Sequence, residues 1–342
     1  MIFHKTKKEI TKVLIIRFSS IGDIVLTTPV LRALKQCPEK ALETHYVTKK
    51  AFAGILEHNP YADRLHLHDG KLSKLIRQLR KEHFDLIIDL HNSTRSNILT
   101  FNISRPTIAF KKLNTRKWIL TNFKVNLLPP LHVVNRYMNT LRVFETLGDG
   151  MGLDYYFPDK MPAVEEFLPE FFHQGYIAFA IGGRHATKRL PNEKIVGILR
   201  KLEQPVVLLG DHHDENNGRI ISEASGPNTL SMCGRLSLHE SAWLIKHALT
   251  VVTHDTGLMH IAAAFNKPIV SIWGNTVPAF GMTPYMPRFP ERSKIIEVTG
   301  LSCRPCSKLG YQQCPKKHFD CMMKMDEDRI AEEICRLADE QM

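Results

Sequence analysis

No stretch of this chain approaches the roughly 20 uninterrupted apolar residues of a membrane-spanning helix. Its first apolar run, "VLIIRF", is soon broken by Arg17 and Asp23. The basic start "MIFHKTKKEITK" leads to no small-residue cleavage site, which argues against a secretory signal peptide. A cytoplasmic chain with reduced cysteines is therefore expected. There is no low-complexity tract and no internal repeat beyond an alternation of short apolar runs with helical patterns. The loop after the first apolar run lacks G-x-G-x-x-G and has only Gly22, which speaks against a nicotinamide enzyme. Acidic residues are in short supply, 35 against 46 Lys and Arg, so the net charge is +11. Such an excess calls for an anionic partner: nucleic acid, an anionic membrane surface or a phosphorylated small molecule.

What is present is organised in two series. At 342 residues the chain suits two domains of about 150 residues each. Apolar runs "KVLIIRF", "ETHYVT", "DRLHLH" and "FDLIIDLH" alternate with helical patterns, as crossover units of a parallel sheet do. After "DYYFPDKMPAVEEFLPEFF", whose prolines mark an interdomain linker, a second series runs through "GYIAFAIGG", "QPVVLLG", "NTLSMCG", "LTVVTHD" and "KPIVSIWG". The expectation is an α/β chain of two doubly wound parallel-sheet domains, residues 1–165 and 166–325, with a final helix over 326–342. Open parallel sheets bind ligands beyond the carboxyl ends of their strands, so the loops there are the candidates for function.

Each of those loops has a plain reading beside a chemical one. Asp23 in "SSIGD" could cap the following helix, or could stand as an exposed carboxylate that takes a proton from a hydroxyl. Pro29 falls beyond the first turn, so the helix kinks there or starts late. In "AIGGRHATKRLP", Gly182 and Gly183 permit close backbone approach, with Arg184, Lys188 and Arg189 as cations beside them. That set suits a diphosphate, and it also suits a solvated basic turn. In "VVTHDTGLMHIAAAF", Thr256 and Gly257 open a helix whose free N–H groups favour an anion, and His260 follows one turn later. Asp255 would repel a phosphate there; it could cap the helix, fix a neighbouring cation or bind a sugar hydroxyl. Asp214 and Glu215 in "GDHHDE" could accept ribose hydroxyls or form a solvated acidic turn. Cys303, Cys306, Cys314 and Cys321, with His318 among them, read as a zinc knuckle or as reduced structural thiols; the second half lacks the C-x2-C of a zinc ribbon.

Together, "RFSSIGDIVLTTPVLRALK", "DLIIDLHNSTRS", "GGRHATKRLP", "GDHHDE" and "HDTGLMHIAAAFNKPIVSIWGNT" resemble glycosyltransferase family 9, the lipopolysaccharide heptosyltransferases, over nearly the whole chain. The "CRPCSKLG" tail also looks like that of many members. The resemblance implies a GT-B fold, with an acceptor-binding N-terminal Rossmann-like domain, a C-terminal one for a nucleotide sugar such as ADP-heptose, and a final helix packing back across the domains. By the same likeness Asp23 is the general base of an inverting transfer, and Lys188 neutralises the leaving diphosphate. Gly182, Gly183, Arg184, Thr187, Asp214, Asp255, Thr256, Gly257, Leu258 and His260 would bind the donor. Ser19, Ser20, Gly22 and Arg95 would face the acceptor, an anionic glycolipid at the inner leaflet of the inner membrane, where the protein would sit peripherally. No cofactor is required by this scheme; Mg2+ could assist, and Zn2+ could occupy the cysteine cluster. A nucleic-acid partner is disfavoured by the acidic strand-end loops. The rival readings are the same fold with another donor sugar, and a non-catalytic binder of nucleotide sugars or anionic glycans, against which the joint presence of Asp23 and Lys188 argues.

Overall fold

Runs rich in Val, Ile and Leu, buried on both faces, form the inner strands, because a parallel sheet covered by helices exposes neither side there. The computed structural model describes residues 10–37, 41–146 and 148–341. It divides into two units: one comprises Met1–Lys112 with Val133–Asp149, the other Leu113–His132 with Gly150–Met342.

The first unit contains strands β1 (Lys12–Ile16), β2 (Glu43–Lys49), β3 (Arg64–His68), β4 (Leu86–Asp89) and β5 (Thr107–Ala109). They are all parallel, in the order β3-β2-β1-β4-β5. The second unit contains β6 (Ile177–Ala180), β7 (Val206–Leu209), β8 (Thr229–Ser231), β9 (Thr250–His254), β10 (Ile269–Trp273) and β11 (Ser293–Glu297), again parallel, in the order β11-β10-β9-β6-β7-β8. In each unit the chain winds outward on one side of its first strand and then returns to the other side. The switch falls between β1 and β4 in one sheet and between β6 and β9 in the other. A crevice opens at such a switch because the two flanking loops leave in opposite directions.

Local details follow from the residues. Pro29 cannot continue the helix begun at Ile21–Val25, so a new helix starts at Thr28 and runs to Lys35. The expected linker is not free: Tyr155 and Phe157 pack against His239, Trp243 and Phe265, within the Gly150–Met342 part of the second unit. The final helix, Glu327–Asp339, buries Ile330, Ile334 and Leu337 in the core of the second unit. That packing occupies its apolar face. Among the described residues, no helix is long and apolar enough to cross a membrane.

Candidate active site

At the switch of the first unit, β1 runs directly into Arg17, a charge that follows the apolar run Val13–Ile16. Arg17 is buried and fully engaged: its Nη1 donates to the Leu90 carbonyl (2.6 Å), its Nε to the Ser19 carbonyl (2.9 Å), and its Nη2 meets Asp23 Oδ1 at 2.5 Å. Asp23 occupies the third position of the Ile21–Val25 helix, and its Oδ2 accepts from the Ser20 N–H (3.2 Å) and Ser20 Oγ (2.8 Å). The N-cap is thus Ser20 rather than Asp23, which completes the capping box from inside the helix. Oδ2 closes the first helical turn and Oδ1 pairs with a fixed cation, while 23% of the side chain stays exposed. Burial disfavours the charged carboxylate, but Arg17 and the Ser20 hydrogen bonds outweigh it and bring Asp23 down to about 2. It is an anion at any physiological pH.

The neighbouring loop after β4 contributes to the same end of the sheet. Asp89 Oδ1 accepts from the N–H groups of His91 and Asn92, which turns the chain into the helix Thr94–Ile103. Arg95, exposed on the first turn of that helix, lies 5.8 Å from the Phe18 ring, so its cation reaches the β1 loop. His91 packs edge-on against Phe18, and burial and the Arg17 charge push it down to about 3, leaving it neutral. Ser19 is half-buried, Ser20 exposed and Gly22 buried, so of the expected acceptor residues Ser20 and Arg95 are the ones that present side chains.

The switch of the second unit carries the opposite arrangement. Lys188 Nζ donates to Asp255 Oδ2 (2.5 Å) and to the Asp255 carbonyl (3.2 Å), and Thr276 Oγ1 donates to the same Oδ2 (2.9 Å). Asp255 therefore fixes a cation, one of the three roles open to it. Thr256 precedes the helix Gly257–Ala264 without capping it, its hydroxyl lying 3.3 Å from that of Thr253, so the first-turn N–H groups face outward with the positive end of the helix dipole. Leu258 is half-buried and His260 is buried one turn in. A Cβ on Gly183 would crowd Thr256 and Arg189, which places Gly183 against that helix start.

Asp214 is also buried. Its Oδ1 meets Arg189 Nη1 at 3.3 Å, its Oδ2 accepts from the Asp211 N–H at 3.2 Å, and a Cβ on Gly182 would overlap that Oδ2. Burial and the Asp211 charge raise its pKa. Asp214 thus orders the loops after β6 and β7. His254 does similar work: burial depresses it to about 4, and its neutral Nε2 accepts from the Leu190 N–H (3.0 Å), tying down the end of the Lys188 loop.

A family model described as glycosyltransferase family 9 (heptosyltransferase) matches residues 72–315. The chain belongs to this family. It is a glycosyltransferase of GT-B fold. The transferase is 25% identical over 291 residues to lipopolysaccharide heptosyltransferase 1 of Campylobacter coli, with 78% of the chain and 84% of that relative covered. A glycosyltransferase family 9 structure from Veillonella parvula superposes with a TM-score of 0.76 at 20% identity, covering 96% of the chain and 98% of the other. E. coli heptosyltransferase WaaC, solved with ADP, gives 0.64 at 20% identity, with 96% and 100% covered.

In the transferase the cysteine segment is a brace for the Lys188 loop. Thr187 N–H donates to the Tyr311 carbonyl (3.1 Å), and the Tyr311 N–H donates to Thr187 Oγ1 (2.8 Å). Gln312 Nε2 reaches the carbonyl of the exposed Arg184 (3.3 Å). Arg304 spreads its guanidinium over the carbonyls of Trp273, Gly274, Thr276 and Val298 and pairs with Glu297 at 2.6 Å, which holds the loop carrying Thr276. Cys306 and Cys321 are thiols that burial pushes up to about 11 and about 12. Among the described residues, the one set of three metal-ligating atoms within 4.8 Å of one another is His45, His66 and Glu82, and no three cysteine sulfurs meet that limit. The histidine pair is already used: Gln78 Nε2 meets His66 Nδ1, His66 Nε2 meets His45 Nδ1, and His45 Nε2 meets Glu43, a continuous chain of hydrogen bonds at the amino end of the sheet.

Sequence reasoning missed Arg17, His254, Thr276 and Arg304. Only Arg17 left a signal, a charge following an apolar strand; the others are recognisable by contacts made across the fold.

Proposed function

We propose that the transferase moves a heptose from ADP-heptose to a hydroxyl of a phosphorylated lipopolysaccharide-core glycolipid, with inversion, at the cytoplasmic face of the membrane. The observation that carries this reading is the pair of oppositely charged groups at the two switch points: a carboxylate held ionised in one unit, a lysine held in place in the other. The relatives support the donor and acceptor, since the Campylobacter coli protein is named a lipopolysaccharide heptosyltransferase and WaaC was solved with ADP.

In the reaction, the acceptor oxygen attacks the anomeric carbon while the bond from that carbon to the diphosphate oxygen breaks. The hydroxyl proton passes to Asp23. A carboxylate held near 2 is a weak base, so proton transfer is late: as the new C–O bond forms, the hydroxyl becomes an oxonium acidic enough to give its proton to Asp23. Arg17 keeps the base ionised and oriented meanwhile. The negative charge released on ADP meets Lys188 and the first-turn N–H groups at Gly257, which are in place before the charge develops. No step requires a metal ion. Ser20 and Arg95 are assigned to the acceptor, Arg95 by attraction to an anionic group.

The test is a thermal-shift titration with ADP, UDP and GDP, because a ligand that binds only the folded state raises the melting temperature. Selective stabilisation by ADP is expected. A response to UDP or GDP alone would keep the fold and overturn the donor.

A further inference from the structure

From Leu90 through Phe144 the chain contains no aspartate or glutamate and nine lysines and arginines, so this stretch alone accounts for +9 of a net charge of +11. The same 55 of 342 residues hold eight of the sixteen large hydrophobic side chains that stand exposed among the described residues. The two properties are densest together in the second unit, on and just after the helix Asn114–Phe123. Leu120 is the buried side of that helix. Trp118 and Phe123 point outward, 56% and 64% exposed, with their rings edge-to-face at 5.4 Å. Val125 and Leu127 follow at 50% and 51%, and Arg116 is exposed beside them. The segment is firmly held: Lys124 Nζ donates to the carbonyls of Thr121, Cys303 and Pro305.

An aqueous surface seldom displays a rigid group of Trp, Phe, Val and Leu without a partner. Rings flanked by cations, on a segment that carries no acid, match the headgroup layer of an anionic bilayer, where aromatic side chains sit at the boundary and each nearby Lys or Arg adds attraction. We infer that Trp118, Phe123, Val125 and Leu127, with Arg116, form the surface by which this protein docks on an anionic phospholipid membrane. This rests on the glycolipid-acceptor reading above, and names the face that would bring the enzyme to its substrate's bilayer.

Flotation of the full-length protein with phosphatidylethanolamine vesicles, with or without phosphatidylglycerol, tests it. Binding to the phosphatidylglycerol vesicles is expected to be at least tenfold stronger than to neutral ones and to weaken with salt. The double variant W118S/F123S should lower it by at least tenfold, and Arg116→Ala by about fivefold. Phe171→Ser, which removes an equally exposed aromatic outside the segment, should leave binding unchanged. In the unmodified protein, brominated phosphatidylglycerol should quench a fluorescence component that Trp118→Phe removes. Unchanged flotation of W118S/F123S, or an equal loss with Phe171→Ser, would overturn the assignment. The melting shift with ADP on the same preparations keeps the two readings apart. An ADP response without vesicle binding overturns the docking surface and leaves the transferase reading, whereas vesicle binding without an ADP response overturns the donor and leaves the docking surface.

Discussion

The two units share a winding pattern and place an ion pair at the same topological point, yet the pairs are inverted. In the first unit the carboxylate of Asp23 is the group turned to solvent, and a buried arginine from the preceding strand end holds it. In the second, Lys188 is paired with Asp255, which Thr276 also steadies, and the reading proposed above offers the lysine to the diphosphate. A doubly wound sheet supplies the position, and the sign of the charge placed there decides the chemistry. A fixed anion suits removal of a proton from a hydroxyl, while a fixed cation beside a helix start suits a diphosphate.

The comparison can be broken most severely at the first pair. Asp23→Asn keeps size and most hydrogen bonds but removes the base, and turnover should fall by about 10²–10⁴-fold. Steady-state rates with purified acceptor check this. Lys188→Ala removes the counter-charge to the leaving group, and kcat should fall by about 10²–10³-fold. Unlike the first variant, it should also weaken nucleotide binding.

Arg17 sharpens the contrast through pH. With Arg17 present, Asp23 titrates near 2, below its ordinary 3.8. Its ionised form therefore contributes stability above about pH 4, and that contribution is lost as pH falls toward 2. The wild-type pH–rate profile should show no acid limb from Asp23 above pH 4. In Arg17→Met, burial is opposed only by the Ser20 hydrogen bonds, so the limb should move up by about one unit or more, and Arg17→Lys should restore most of the difference. A limb that stays in place would remove Arg17 from the account. The smallest effect is expected at Thr276→Val, which deletes one hydroxyl donor to Asp255. It should lower kcat about two- to tenfold, the range of a single hydrogen bond, and leave the pH profile as it was.

Much of this was legible in the sequence. The apolar runs placed most strands, and the rule that ligands gather at strand ends picked out the Asp23, Lys188 and Asp255 loops. What could not be read were the partners. Lys188 and Asp255 lie 67 residues apart, and Arg17 reaches Leu90 across 73. Only sheet order brings such residues together. The cysteine spacing suggested a metal knuckle, but residue spacing does not encode the segment's hydrogen bonds through Tyr311 and the guanidinium of Arg304. Asp214, expected to meet a ribose, sits against Gly182 and Gly210, whose missing side chains make room for it.

The most direct test of the inverted pairs is calorimetric titration of ADP into the wild type, Asp23→Asn and Lys188→Ala, paired with turnover of each. The account predicts wild-type affinity with lost turnover for Asp23→Asn, and affinity weaker by about tenfold or more for Lys188→Ala. Normal turnover in Asp23→Asn, or undiminished ADP affinity in Lys188→Ala, would contradict it.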